Sequence, residues 1–154
     1  MGRAGGRGSN VRYASPVMVA TRRFPFRLGR RTRPLLRLFG VTGETPVVEL
    51  DDEFRARFGA FAATTPVTNI ASWRIEGPWR WITAVGVRRS LRHGDLTFGG
   101  THRGGVRVDF REPVRIAGLR CPALYVTVED LEGLATALSE LGIPGEDART
   151  KRLP

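Results

Sequence analysis

The sequence predicts a mainly β domain of the α+β type: a small antiparallel barrel or orthogonal sandwich of about seven strands, capped by one C-terminal helix. Three observations point there. From Val47 onward, apolar residues recur with period two in short runs separated by turn residues. One segment near the C-terminus, and only one, combines helical spacing with both a start and a stop signal. A series of short strands followed by one amphipathic helix needs a bent or closed sheet whose open end the helix can cover.

Residues 1–20, rich in Gly, Arg and Ser, cannot build a core and are expected to form a disordered basic tail; Met18 offers an alternative start to Met1. Residues 21–44 read as a basic arm. Within it Phe24, Phe26 and Leu28 alternate, which suggests a short strand. Leu35, Leu36, Leu38 and Phe39 then cluster beside Arg31, Arg33 and Arg37, which suggests a helical turn or two with Pro34 in the first turn. Gly40 and Gly43 release the chain into the body.

Val47 to Leu50 reads as a strand, and an Asp51-Asp52 turn leads into Phe54 to Phe58, with apolar and basic residues on opposite faces. Phe61 to Thr64 follows Gly59. Val67 to Glu76 reads as one long strand with Val67, Asn69, Ala71, Trp73 and Ile75 on one face, ended by Gly77-Pro78. Trp81 to Val87 is a further strand, and Ser90 to Arg92 is expected to pair with Leu96 to Phe98 around His93-Gly94. Gly99-Gly100 and Gly104-Gly105 bracket an expected second hairpin. Val106, Val108 and Phe110 alternate with Arg107, Asp109 and Arg111 as a half-buried strand, and Ala123 to Val126 reads as the last strand. In the helix, Thr127 is placed to cap the start with Asp130 three residues on, and Val126 and Leu131 are placed as flanking hydrophobic contacts. Leu131, Leu134, Leu138 and Leu141 form the apolar stripe. Gly142 supplies a left-handed residue, Ile143 can pack back on Leu138, and Pro144 stops the helix. Residues 146–154 are expected to be a flexible charged tail.

A chain of 154 residues is one domain by size, here residues 21–145 with the arm included. Its net charge of +10 is concentrated at one end: ten arginines precede the first acidic residue, Glu44, and beyond Gly40 basic and acidic residues cancel. Lys151 is the only lysine, so the positive charge is guanidinium, a planar fork suited to phosphate and carboxylate; a GC-rich genome produces the same bias. A lone Cys121 forms no internal disulfide and reads as a small buried hydrophobe, in keeping with a cytoplasmic location. No apolar run approaches the ~18 residues that span a bilayer. Thr21-Arg22-Arg23-Phe24 looks like the start of a twin-arginine export signal, but further arginines follow where an uncharged apolar region is required.

The arrangement resembles the bacterial pleckstrin-homology-like domains. The likeness rests on Phe54-Arg55-Ala56-Arg57-Phe58-Gly59, on Pro66-Val67-Thr68-Asn69-Ile70, and on Leu124 to Asp130 entering the final helix. More closely, the chain is similar to actinobacterial proteins of that type with an arginine-rich Phe-Pro-Phe segment, a Gly-Pro-aromatic step (Gly77-Pro78-Trp79), a Leu-Thr-Phe-Gly segment (Leu96 to Gly99) and a Gly-Val strand start (Gly105-Val106). The likeness covers roughly residues 22–143 and consists of turn and core positions. It implies a domain that binds phosphoinositides, peptides or proteins and is rarely catalytic. No lipid-binding motif maps onto these residues.

Candidate chemistry is sparse. His93, Asp95 and His102 are the only seed for a metal site, and their spacing matches no ligand motif, so exposed turn residues are expected and neither metal nor cofactor. The glycine pairs lack the helix N-terminus that a phosphate loop uses. Trp73, Trp79 and Trp81 lie near Arg74 and Arg80; Trp73 reads as core, and Trp79 is the one expected to be partly exposed. With two histidines, both in predicted turns, no nucleophile–base pair is visible, and the cluster Asp51, Asp52 and Glu53 reads as a charged turn. The arm remains: Arg22, Arg23, Arg27, Arg30, Arg31, Arg33 and Arg37, docked through Phe24, Phe26, Leu35 and Leu38, or lying on an anionic membrane, or contacting nucleic-acid phosphates. The expectation is a non-enzymatic binding module for a protein, peptide or anionic surface. The alternatives are a nucleic-acid-associated protein using the arm, and a small-ligand or enzyme site near Trp79, His93 and His102.

Overall fold

A computed structural model describes residues 20–28, 33–38, 46–77, 86–89, 94–99 and 104–151. β1 (Arg22–Pro25), β2 (Val47–Leu50), β3 (Glu53–Phe58) and β4 (Phe61–Pro66) form an antiparallel sheet in chain order. Register aligns Phe24, Val48, Ala56 and Ala63 in a row across it, all buried. Alternation in the sequence thus becomes one apolar face, with Arg23, Glu49, Arg55 and Arg57 on the other. The sheet face reads almost as the periodicity requires.

The second sheet departs further from expectation. A 3-10 turn over Val67–Asn69 shortens the anticipated long strand to β5 (Ile70–Glu76), and a register shift between Ile70 and Ser72 brings Ile70 to the core together with Trp73 and Ile75. β6 (Gly86–Arg89) and β7 (Leu96–Gly99) form a hairpin; its first strand precedes the anticipated Ser90 to Arg92, which lies outside the described residues with most of the Trp81 to Val87 segment. β8 (Gly105–Ile116) and β9 (Leu119–Val126) are both longer than the alternation suggested, and β10 (Gly145–Asp147) was not anticipated. The order is β10-β5-β8-β9-β7-β6. The expected hairpin between β7 and β8 does not form. The tight turn at Ala117-Gly118 (φ 49° and 79°) folds β9 back beside β8, so β9 occupies the place next to β7 and pairs with it in parallel.

Among the described residues ten strands lie in two sheets, and neither closes into a barrel, the first of the two forms, barrel or orthogonal sandwich, that the sequence suggested. Hydrogen bonds at two places link the sheets around one shared core. Phe26, just past β1, bridges to Val128, with Arg27 N–H donating to the Thr127 carbonyl and Glu129 N–H to that of Pro25. On the other side Asn69 pairs with the backbone of Glu112: its Nδ2 donates to the carbonyl at 3.0 Å and its Oδ1 accepts from the N–H at 2.9 Å. The side-chain amide stands in for a strand partner where β8 loses register with β9, between Asp109 and Val114. The enclosed core is aromatic: Phe26 meets Phe58 edge-on at 5.2 Å, Phe58 stacks on Phe98 at 5.8 Å, and Phe54 contacts Phe110 at 6.4 Å. Cys121 is fully buried there, as its apolar context suggested.

Besides α1 (Arg33–Leu38), which carries Pro34 in its first turn, the helix is α2 (Leu131–Glu140). Its cap is Asp130, whose Oδ1 accepts from Gly133 N–H at 2.8 Å, and not Thr127. Thr127 is buried and donates to the Phe98 carbonyl, because residues 127–129 continue the extended path beside β1 and delay the helix. With the cap displaced to Asp130, Leu131 becomes the first residue of α2, and the positions flanking the start fall on Glu129 and Leu134 in place of Val126 and Leu131. Leu134 and Leu138 are fully buried, whereas Leu141 is partly exposed. The stop agrees with the sequence: Gly142 has φ 81°, Gly142 N–H reaches Ser139, and buried Ile143 bonds back to Leu138.

Of the anticipated flexible tail after Gly145, Glu146 and Asp147 lie in the sheet, and residues 152–154 lie outside the described residues. β10 pairs in parallel with β5, and Trp73 donates from its backbone to Pro144 and from its indole to Ile143. Arg149 then bonds both Asp147 and Glu132, tying the segment to α2. Hydrogen bonds from Arg149 hold the Glu132 and Asp147 carboxyls below the usual range, and the two carboxylates raise Arg149 in turn, Asp147 most. Folded values lowered in this way give stability that is fully present above the ordinary carboxylate range of about pH 4 and lost as pH falls through the depressed values. Amide protection of β10, corrected for intrinsic exchange, should therefore be high at pH 6 and drop by pH 3. Equal protection at both would show that the clamp does not hold the strand.

Candidate functional site

The arm is built into the body at one end. β1 buries Phe24 and the bridge buries Phe26, so Arg23 and Arg27, on the alternate positions, face outward. Leu28 is partly buried against the core. Thr21 adds a tether, its hydroxyl donating to Asp51 at 2.9 Å. That bond, with the Glu53 backbone N–H as the larger cause and Arg55 beside it, holds the Asp51 carboxyl below its ordinary value. Asp51 and Glu53 serve a turn and an ion-pair network around Arg55, as a charged turn should.

The arm's arginines divide. Arg22 pairs with Glu140 at 2.7 Å and Arg23 with Glu49 at 3.2 Å. Arg27 and Arg37 are exposed, and neither forms an ion pair with a described residue. Arg33 opens α1, while Arg30 and Arg31 lie outside the described residues. Leu38 is 81% exposed, which corrects the expectation that it docks the arm. A six-residue helix with Arg37 beside an exposed Leu38 gains nothing from the core at that position. The side chain of Leu35 lies outside the described residues.

Other candidates are not assembled among the described residues. Trp79, His93 and His102 fall outside them. Asp95, the third of the sparse metal-ligand candidates, accepts from Arg107 at 2.6 Å. Burial lowers the Arg107 guanidinium, but its bonds to Asp109 and Asp95 outweigh that and raise it overall. No three His, Cys, Asp or Glu side chains converge on a common point among the described residues. Trp73 is a core residue, as expected. A hollow of about 50 Å³ lies between α2 and β1–β2, lined by Ala20, Arg22, Leu50, Ala137, Glu140 and Leu141. It holds a few waters at most, since ligand pockets run from about 300 Å³ upward. Among the described residues no helix is long and apolar enough to cross a membrane.

Sequence reasoning allowed arginines paired with acidic residues of the body but could name no partner for any of them, because pairing across strands depends on register. It also missed two exposed arginines placed opposite each other at the tip of the β8–β9 hairpin, Arg115 and Arg120. No family model matches the chain, and neither does any curated protein or solved structure.

Proposed function

We propose that the protein is a non-enzymatic, pleckstrin-homology-like binding module that recognises an acidic protein or peptide through the outward face of its arginine-rich arm. The observation that supports this reading is the split within one short segment. Phe24 and Phe26 are buried at 8% and 3% exposure, while Arg27 faces solvent with no acidic partner among the described residues, and so does Arg37 further along. A cationic surface held by a buried aromatic anchor loses less entropy on binding than a loose basic tail would.

Charge reversal at Arg27 and Arg37 tests it without touching the anchor. Binding of an acidic glutamate-rich peptide should weaken by at least tenfold in Arg27→Glu/Arg37→Glu, and wild-type affinity should fall with added salt. Unchanged affinity in the double variant would refute the reading. Preference for an oligonucleotide over the peptide, with a steep salt slope, would move the assignment to nucleic acid.

A further inference from the structure

We propose that Arg115 and Arg120, at the tip of the β8–β9 hairpin, form a binding site for a phosphoryl dianion, separate from the arm. Ile116 and Leu119 flank the two-residue turn and are its hydrogen-bonded closing pair, which makes Arg115 and Arg120 the next, non-hydrogen-bonded pair. In such a pair the Cα atoms lie about 4.5 Å apart and the side chains are at their closest. Val114, Ile116 and Cys121 are buried around them, so both arginines point outward, and both are exposed.

Like charges directly opposite one another destabilise a hairpin. Arg74 and Arg107 also face each other, across β5 and β8, but there each has a carboxylate beside it, Glu146 for Arg74 and Asp95 and Asp109 for Arg107. Arg115 and Arg120 pair with none among the described residues. The turn adds to the exception. Ala117 holds φ 49°, a left-handed conformation that suits glycine or asparagine, and Ala117 and Gly118 put no bulk over the guanidiniums. Two local costs at one open tip mark it as a place where function, not folding, sets the residues.

The partner's chemistry follows from the pair. Two rigid forks carry two positive charges side by side and offer donors in two planes. A carboxylate, planar and singly charged, satisfies one fork. A phosphoryl group with two negative charges and tetrahedral oxygens can accept from both. Because its second ionisation lies near pH 6 and arginine does not titrate, affinity should rise between pH 5 and pH 7.5.

The test is titration of the full chain with phenyl phosphate and with inorganic phosphate at fixed ionic strength, read by backbone amide NMR shifts. Saturable shifts centred on residues 115–120 are expected, with affinity at least tenfold weaker in Arg115→Gln and Arg120→Glu and unchanged in Arg57→Gln. Preference for phenyl phosphate assigns a phosphomonoester, and equal binding assigns free phosphate. Arg120→Glu should at the same time raise thermal stability in phosphate-free buffer, since it places opposite charges across the pair. The proposal is overturned by the absence of saturable binding, by binding that survives Arg120→Glu, or by binding of phosphodiester oligonucleotides alone. Because the arm is not involved, the double variant of Arg27 and Arg37 should bind phenyl phosphate normally.

Discussion

Phe26→Ala should destabilise the folded protein by about 3–5 kcal/mol, the range for removing a buried aromatic ring from a packed core. Phe26 is 3% exposed, meets Phe58 edge-on at 5.2 Å and lies 6.5 Å from Phe98, so it joins rings of both sheets. Its backbone also makes the bridge to Val128. The loss therefore combines lost burial, a cavity between sheets and weakened contact between β1 and the segment before α2. Leu38→Ala removes a side chain that is 81% exposed and should change stability by less than about 0.5 kcal/mol. Urea unfolding of both variants checks the contrast. A small effect at Phe26 would show that the arm is not part of the cooperative fold. The same geometry rules out truncation as a probe of the arm: removing residues 1–40 removes β1 and two core phenylalanines along with the charge.

Gly145→Ala carries the second large effect. A methyl group at Gly145 would fall inside the van der Waals envelope of the Trp73 indole and of the Trp73 carbonyl. Neither can yield easily, because the indole is nine-tenths buried and donates to the Ile143 carbonyl at 3.1 Å. Either β10 lifts from β5 or the indole leaves its site, at a cost of about 1–3 kcal/mol for an overpacked contact. The Trp73 indole N–H resonance should shift and exchange faster. Gly142→Ala offers a comparison of different origin: nothing stands within reach of a methyl group there, so only the strain of φ 81° is added. An unperturbed indole in Gly145→Ala would show that β10 is not seated against Trp73.

Much of the local structure was legible. Val47 to Leu50 and Phe54 to Phe58 became β2 and β3, and Val106, Val108 and Phe110 are buried as their alternation required. Gly142 and Ile143 stop α2 as predicted because the signal is local: a left-handed glycine followed by a residue that packs one turn back. Thr127 shows the opposite case. It has the chemistry of a cap and a suitably spaced acidic residue, yet β1, a hundred residues earlier in the chain, captures residues 127–129 in extended form, and Asp130 caps instead. The candidate site was legible in composition, since the arginines before Glu44 are plain in the sequence, but not in which of them remain unpaired.

The sequence by itself determined the inward faces of β2, β3 and the first half of β8, the turn between β2 and β3, where α2 ends and where the charge excess sits. Those properties follow from side-chain period, glycine conformation and residue type. Tertiary structure alone decided the strand order, the parallel pairings of β7 with β9 and of β10 with β5, the two open sheets in place of a barrel, and the partners of each arginine. Alternation reports that a face is buried and does not say against which neighbour. The bonds that choose a neighbour are made by backbone N–H and carbonyl groups, which every residue except proline supplies alike. Arg115 and Arg120 look like any two surface arginines until the Ala117-Gly118 turn places them face to face.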